Sequence, residues 1–204
     1  MEIINIKDTS NKLFYIGGVV RDELLGRKSF DIDITYAGNA IEYCPHFGEV
    51  IQKNPDFGTV RINVGGREVD FASTRSESYP RKGHLPVVDK IGCSLREDVM
   101  RRDFTINALA KSVATGEIVD YTGGLEDLKN KKLRVLHDES FIDDPTRIIR
   151  GLKFSVRFGF ELDERTRRLQ EDYLANINYD MSYKRVKKEL IETFNLNSQI
   201  EFEK

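Results

Sequence analysis

The chain has 204 residues, 32% of them charged and 10% aromatic, with no tryptophan and a net charge of −2. That length buries a full core and accommodates one large or two small domains. The near-neutral balance excludes a globally basic nucleic-acid binder, though not a local basic cluster. No apolar run reaches membrane-spanning length, and the first twelve residues lack the apolar centre of a signal peptide. Cys44 and Cys93 are too few for a disulfide framework and have no metal-ligand spacing, so a reduced, cytoplasmic setting is expected.

Leu13 to Ile16 is a short apolar run suited to a buried strand. Gly17-Gly18 breaks it, and Val19 to Leu25 reads as the first turns of a helix. A strand that ends in two glycines and opens a helix presents bare backbone N–H groups, a favourable place for a phosphate chain. Arg21, one turn into the helix, adds a charged donor fork. Phe30 to Thr35 then alternates acidic and apolar side chains. Strand periodicity puts Asp31 and Asp33 on one face, with Ile32 and Ile34 on the other. Two adjacent carboxylates repel unless they share cations, and hard oxygen ligands at this spacing suit Mg²⁺ in two-metal phosphoryl chemistry. Taken singly, a glycine pair is more often a tight turn and an acidic pair a solvated strand face. Their ordered combination is the specific signal.

Asn39 to Tyr43 reads as a short helix ending at Pro45. Gly48 to Lys53 and Phe57 to Val64 read as strands, with Gly65-Gly66 as a hairpin turn into Glu68 to Ala72. Glu68 and Asp70 share a face of that last strand; Glu68 reads as a solvating charge and Asp70 as a third carboxylate beside Asp31 and Asp33. Thr74 to Cys93, rich in basic residues, proline and glycine, reads as a long mobile loop. Ser94 and Glu97 form a capping pattern that opens a stretch running through Asp98, Arg101, Arg102 and Asp103 to Ala110. Asp120 to Leu128 is a turn and short helix around Gly123-Gly124.

From Phe141 the pattern turns helical. Asp143, Asp144 and Pro145 suit a first turn. Ile148, Ile149, Leu152 and Val156 form an apolar stripe, while Asp144, Arg147, Arg150 and Lys153 descend the polar side at steps of three. Gly159 is the expected C-cap. Amphipathic helices follow at Glu164 to Ala175 and at Tyr183 to Phe194, the latter with Val186, Leu190 and Phe194 inward. The shift in composition separates an α/β part, residues 1–140, from a helical part, 141–204. His46, His84 and His137 show no ligand spacing and receive no role.

Four ordered stretches, GGVVRD with FDIDIT, RRDFTINALA, DYTGGLEDL and DDPTRIIRGLKFSVRFGF, resemble the motifs of class II tRNA nucleotidyltransferases, the CCA-adding enzymes. Bacterial poly(A) polymerases share much of this set. The resemblance covers roughly residues 13–160 and continues weakly through SYKRVKKEL. It implies an α+β fold, a polymerase-β-like palm or head with a mixed sheet and helices, followed by an all-helical neck. Body and tail helices that would hold the tRNA acceptor stem are not recognised. By the same resemblance Gly17, Gly18 and Arg21 would hold the incoming triphosphate and Asp31 and Asp33 would carry Mg²⁺. Arg101, Arg102 and Asp103 would contact phosphates and ribose. Asp144 and Arg147, with Arg150 and Lys153 further along, would read the base of CTP or ATP. Asp143 stands where the family usually has Glu, and Lys153 where Arg is usual, a point charge in place of a planar fork. The implied activity is addition of C, A or both to a tRNA 3′ end. A poly(A) polymerase and a non-catalytic nucleotide- or RNA-binding module are the alternatives.

Overall fold

The computed structural model describes Ile6 and residues 8–29, 32–177 and 182–202. These form two compact units. The first is Met1–Ser78, Val88–Arg102 and Ile106–Leu125; the second is Tyr79–Val87, Asp103–Thr105 and Glu126–Lys204.

In the first unit, β1 (Leu13–Ile16) leads into α1 (Gly18–Leu24), β2 (Asp33–Tyr36) and α2 (Ala40–Tyr43). Then come β3 (Glu49–Asn54), β4 (Thr59–Val64), β5 (Arg67–Ser73), β6 (Arg75–Ser78) and β7 (Val87–Ile91). Helix α3 (Leu95–Met100), β8 (Ala110–Ser112) and β9 (Ile118–Val119) complete it. Seven strands make one sheet in the order β3-β4-β5-β2-β1-β8-β9. Its pairs are antiparallel except β2 with β5, so the sheet is mixed. Leu13, Val20, Ile34, Ile62, Val69 and Phe71, all fully buried, fill one face. Gly65 and Gly66 close the β4–β5 hairpin with φ of 60° and 87°, the left-handed pair that a two-residue turn demands.

Two expectations are corrected in this unit, and one is met. Thr74 to Cys93 is not one long loop, because β6 and β7 pair there as a two-stranded sheet. The short helix capped by Asn39 ends at Tyr43 as expected, and a separate 3₁₀ turn follows over Cys44–Phe47, with Pro45 in its first positions, where its missing N–H is harmless. The capping box of Ser94 and Glu97 forms, but its helix ends at Met100 and Ala110 belongs to a strand. Tertiary pairing with β1 decides that segment.

The chain passes to the second unit within α4 (Gly124–Lys129). Asp120 sets that helix start: its carboxylate accepts the N–H groups of Thr122, Gly123, Gly124 and Leu125 at 2.9–3.1 Å. The second unit then has β10 (Lys132–Leu133), α5 (Ser140–Asp143), α6 (Thr146–Phe158), β11 (Glu161–Leu162), α7 (Glu164–Ala175) and α8 (Tyr183–Phe202). A parallel pair of β10 with β11 means that residues 141–204 are not purely helical.

Asp143 and Asp144 do not share the first turn of one helix. Asp143 ends α5, and Asp144 is extended (φ −139°, ψ 92°) before Pro145 and α6, as expected of a residue preceding proline. The expected apolar stripe on α6 is also displaced. Leu152 and Val156 are exposed, and the buried face is Arg147, Gly151, Phe154 and Phe158. Gly151 explains the choice, since a Cβ there would lie 3.1 Å from the ring of Phe104, which meets Phe154 edge-on at 5.9 Å. Likewise α8 leaves Leu190 and Phe194 exposed. It turns Glu189 and Glu192 toward α6, where Lys153 binds both at 3.1 and 2.9 Å. Gly159 is the left-handed C-cap of α6, as its position implies.

Candidate active site

The pairing of β1 with β2 builds the first half of the site. Tyr15 faces Ile34 across this antiparallel ladder, so the next step sets Asp33 beside Ile16, at the strand end that opens into Gly17. Asp33 is exposed and is the register partner of Asp70 on parallel β5. Partners on neighbouring strands point to one face, so two carboxylates stand side by side there. Asp70 is already gripped by Arg61 through two hydrogen bonds of 2.7 and 2.9 Å. Asp31 lies outside the described residues.

Gly17 adopts φ 71°, a left-handed conformation that only glycine holds without strain. A Cβ there would also meet the Arg102 guanidinium at 3.3 Å. Arg102 therefore lies against the turn, and its Nε is buried without a hydrogen-bonding partner among the described residues. Arg21 is buried beneath Gly18, donating to Asp22 at 2.8 Å and to Asn107 at 2.6 Å. Arg21 thus braces the glycine turn, with much of its fork engaged by protein groups.

Asp98 organises the arginines. Its side chain is fully buried and accepts from Arg101 at 2.8 and 3.0 Å, from Arg102 at 3.2 Å and from the Arg75 N–H at 3.1 Å. Burial alone would raise its carboxyl, yet the guanidinia of Arg102 and Arg101 outweigh that and hold it below its ordinary range. Arg101 also pairs with Glu77 at 3.1 Å. Sequence reading missed Asp98 and Asn107 as supports. The spacing of Asp98 three and four residues before the two arginines was the available signal; Asn107 gave none.

The remaining expected residues lie in the second unit. Asp103 caps the Phe104 N–H at 2.7 Å and pairs with Arg150 at 2.9 Å, and this carboxylate keeps the Arg150 guanidinium above its ordinary range. Asp144 and Arg147 are both buried, 5% and 3% exposed. One oxygen of Asp144 accepts from the Thr146 N–H and hydroxyl at 3.1 and 2.6 Å, and the other from Arg185 at 2.5 Å. Arg147 donates to the Ser140 hydroxyl at 2.7 Å, lies 3.3 Å from the His137 ring and sits over the Tyr79 ring. Lys153 holds α8, as described. Arg185 and His137 went unassigned in the sequence because their partners are 41 and 10 residues away.

Burial and the nearby Arg147 charge hold His137 below its ordinary value of 6.5. The folded unit therefore binds fewer protons than the unfolded chain below that value. Its stabilising contribution is complete above about pH 6.5 and is lost as pH falls. Urea midpoints measured between pH 7.5 and 5 should drop on acidification, and His137→Gln should flatten that drop.

A family profile described as the poly A polymerase head domain matches residues 13–134. The A-adding tRNA nucleotidyltransferase of Aquifex aeolicus is 46% identical over 165 residues, which are 78% of this chain and 20% of that protein. A CCA-adding enzyme structure in apo form superposes with a TM-score of 0.77 at 37% identity, covering 90% of this chain and 45% of the other. A tRNA nucleotidyltransferase crystallised with a primer tRNA and an incoming ATP analogue gives a TM-score of 0.73 at 36% identity, covering 92% and 57%. The chain thus shares their mixed α+β fold and spans between a fifth and somewhat over half of their length.

Proposed function

Because the chain belongs to the poly A polymerase head-domain family, we propose that it is the head and neck portion of an RNA nucleotidyltransferase. It would add C or A from CTP or ATP to a tRNA 3′ end, releasing pyrophosphate, with residues 1–140 as head and 141–204 as neck. The observation that carries this reading lies within one unit: Asp33 stands at the strand end beside Gly17, and the Arg102 guanidinium lies against that glycine.

In this reading the backbone of Gly17-Gly18 and the forks of Arg101 and Arg102 hold the triphosphate oxygens, while Arg21 keeps the turn in shape. The buried Arg102 Nε, lacking a protein partner among the described residues, fits an anion. Asp31 and Asp33 would carry Mg²⁺, and the hard oxygen set of Asp33 and its neighbour Asp70 fits such an ion. When bound, the metal supplies Lewis-acid activation of the primer hydroxyl and neutralises leaving charge. Asp70, fixed by Arg61, sets the field beside Asp33.

Asp144 and Arg147 supply a base reader. A carboxylate accepts from the amino group of C or A, and a guanidinium donates to the adjacent ring nitrogen. G and U present the opposite pattern. A buried polar pair discriminates strongly because the wrong base leaves groups unpaired. Arg150, through Asp103, and Lys153, through α8, position this helix from within the chain.

The test is incubation with tRNA lacking its 3′ terminus, Mg²⁺ and each labelled nucleoside triphosphate. Incorporation from CTP or ATP and none from GTP or UTP is expected. No transfer by folded protein at high concentration overturns the reading, and long products with ATP alone would reassign it to poly(A) synthesis.

A further inference from the structure

One nitrogen of Arg147 meets two acceptors, and one of them titrates. Its Nη1 donates to the Ser140 hydroxyl at 2.7 Å and lies 3.3 Å from His137 Nε2. A single turn carries both acceptors, because the Ser140 N–H donates to the His137 carbonyl at 3.2 Å. Ser140 and Arg147 are buried and His137 is half-buried. A guanidinium only donates, so Nε2 serves it only with a bare lone pair and the ring proton on Nδ1. Protonating the ring turns that acceptor into a donor and sets two cations against each other. The acids near the ring are already committed. From α5, Glu139 and Asp143 face it, but Lys82 binds both, at 3.2 and 2.6 Å. From α7, Arg165 faces it while paired with Asp138. On the Arg147 side, Asp144 is held by Arg185 of α8, and the Tyr79 ring lies 5.9 Å from the guanidinium. Burial and Arg147 prevail, so the ring is neutral at pH 7.

We propose that His137 is a positioning residue for nucleotide choice: neutral, it fixes the aim of the Arg147 guanidinium, and protonated, it releases it. The inference rests on the assignment of Arg147 as a base reader made above. Ser140 does not substitute for the ring. Its hydroxyl holds Nη1 at one point at every pH, whereas the direction of a planar fork needs a second point. Discrimination between CTP and UTP is therefore gated by pH. The two share ribose and triphosphate and differ at the base edge, so their affinity ratio isolates the reader. That ratio is full above about pH 6.5 and declines below it as the ring takes up a proton.

The experiment is calorimetry of CTP, UTP and tripolyphosphate in EDTA from about pH 8 to 5.5, with the parent, His137→Gln and His137→Phe. In the parent the CTP-to-UTP affinity ratio should fall on the order of tenfold across this range. The glutamine amide offers a non-titrating oxygen near the place of Nε2, so His137→Gln should keep the ratio and lose its pH dependence. His137→Phe should show the low ratio at every pH, with tripolyphosphate affinity as in the parent. A merely structural role would lower CTP and UTP affinity together and leave the ratio alone. Should the phenylalanine variant melt early, ¹⁵N NMR of the parent imidazole decides: an Nδ1–H tautomer at pH 7.5 supports the inference and an Nε2–H tautomer overturns it. If the parent discriminates at pH 7.5 but the ratio ignores both pH and His137, the base reader stands and this inference alone falls. If the parent binds CTP and UTP equally at pH 7.5, the base-reader assignment fails and takes this inference with it.

Discussion

Asp33→Asn lowers nucleotide incorporation by roughly three decades or more, while leaving metal-free CTP binding and the melting temperature close to those of the parent. The reason is positional. Asp33 is exposed at the first residue of β2, so its replacement by the isosteric amide opens no cavity. Its carboxylate stands beside Asp70 at the strand end next to the glycine turn. A metal held there stabilises transition-state charge by several kcal/mol, and each ~1.4 kcal/mol is a factor of ten in rate. Single-turnover extension of a tRNA primer measures the loss, and calorimetry in EDTA with a thermal melt measures the controls. A decline of less than tenfold would remove Asp33 from the metal set.

The second large effect is on stability. For Asp98→Ala, a destabilisation of about 3 kcal/mol is expected, because removing the acid from a buried ion cluster leaves its cations uncompensated. Arg101 and Arg102 lose their shared acceptor, and the Arg75 N–H loses its cap. The change should lower the urea midpoint and weaken CTP binding together, since Arg102 is no longer held against Gly17. Asp98→Asn keeps the shape and one acceptor, so a smaller loss is expected. Acid provides a check on the cause. The depressed Asp98 carboxyl contributes stability above its unfolded value of 3.8, and that contribution disappears as pH falls through the lower folded value. The asparagine variant should lack this part of the acid transition. Parent-like urea curves for the alanine variant would show that the arginines are held by something else.

Local chemistry made the glycine turn, the β4–β5 hairpin, the capping box and the Gly159 stop legible in the sequence. Each is specified by residues within a few positions of one another. The orientation of α6 was not. An apolar stripe was visible, but the packing is decided by Gly151 against Phe104, a partner 47 positions earlier whose role no periodicity announces. The β6–β7 pair was hidden for a similar reason: its strands are four and five residues long and carry charges and two serines in place of an alternating apolar pattern. At the candidate site, residue types and spacing marked Asp33, Gly17 and Arg102. The supports Asn107 and Arg185 emerge only when distant segments meet.

The inward face of α6 carries one further consequence. Where an amphipathic helix would place a leucine, this one places Arg147, whose angle is fixed by directional bonds to Ser140 and by the Tyr79 ring. Greasy contacts tolerate sliding, whereas a guanidinium tied at several points does not. Drift among the surrounding aliphatic residues would therefore leave the aim of that side chain nearly constant, which decouples the direction of its guanidinium from how its neighbourhood happens to be filled.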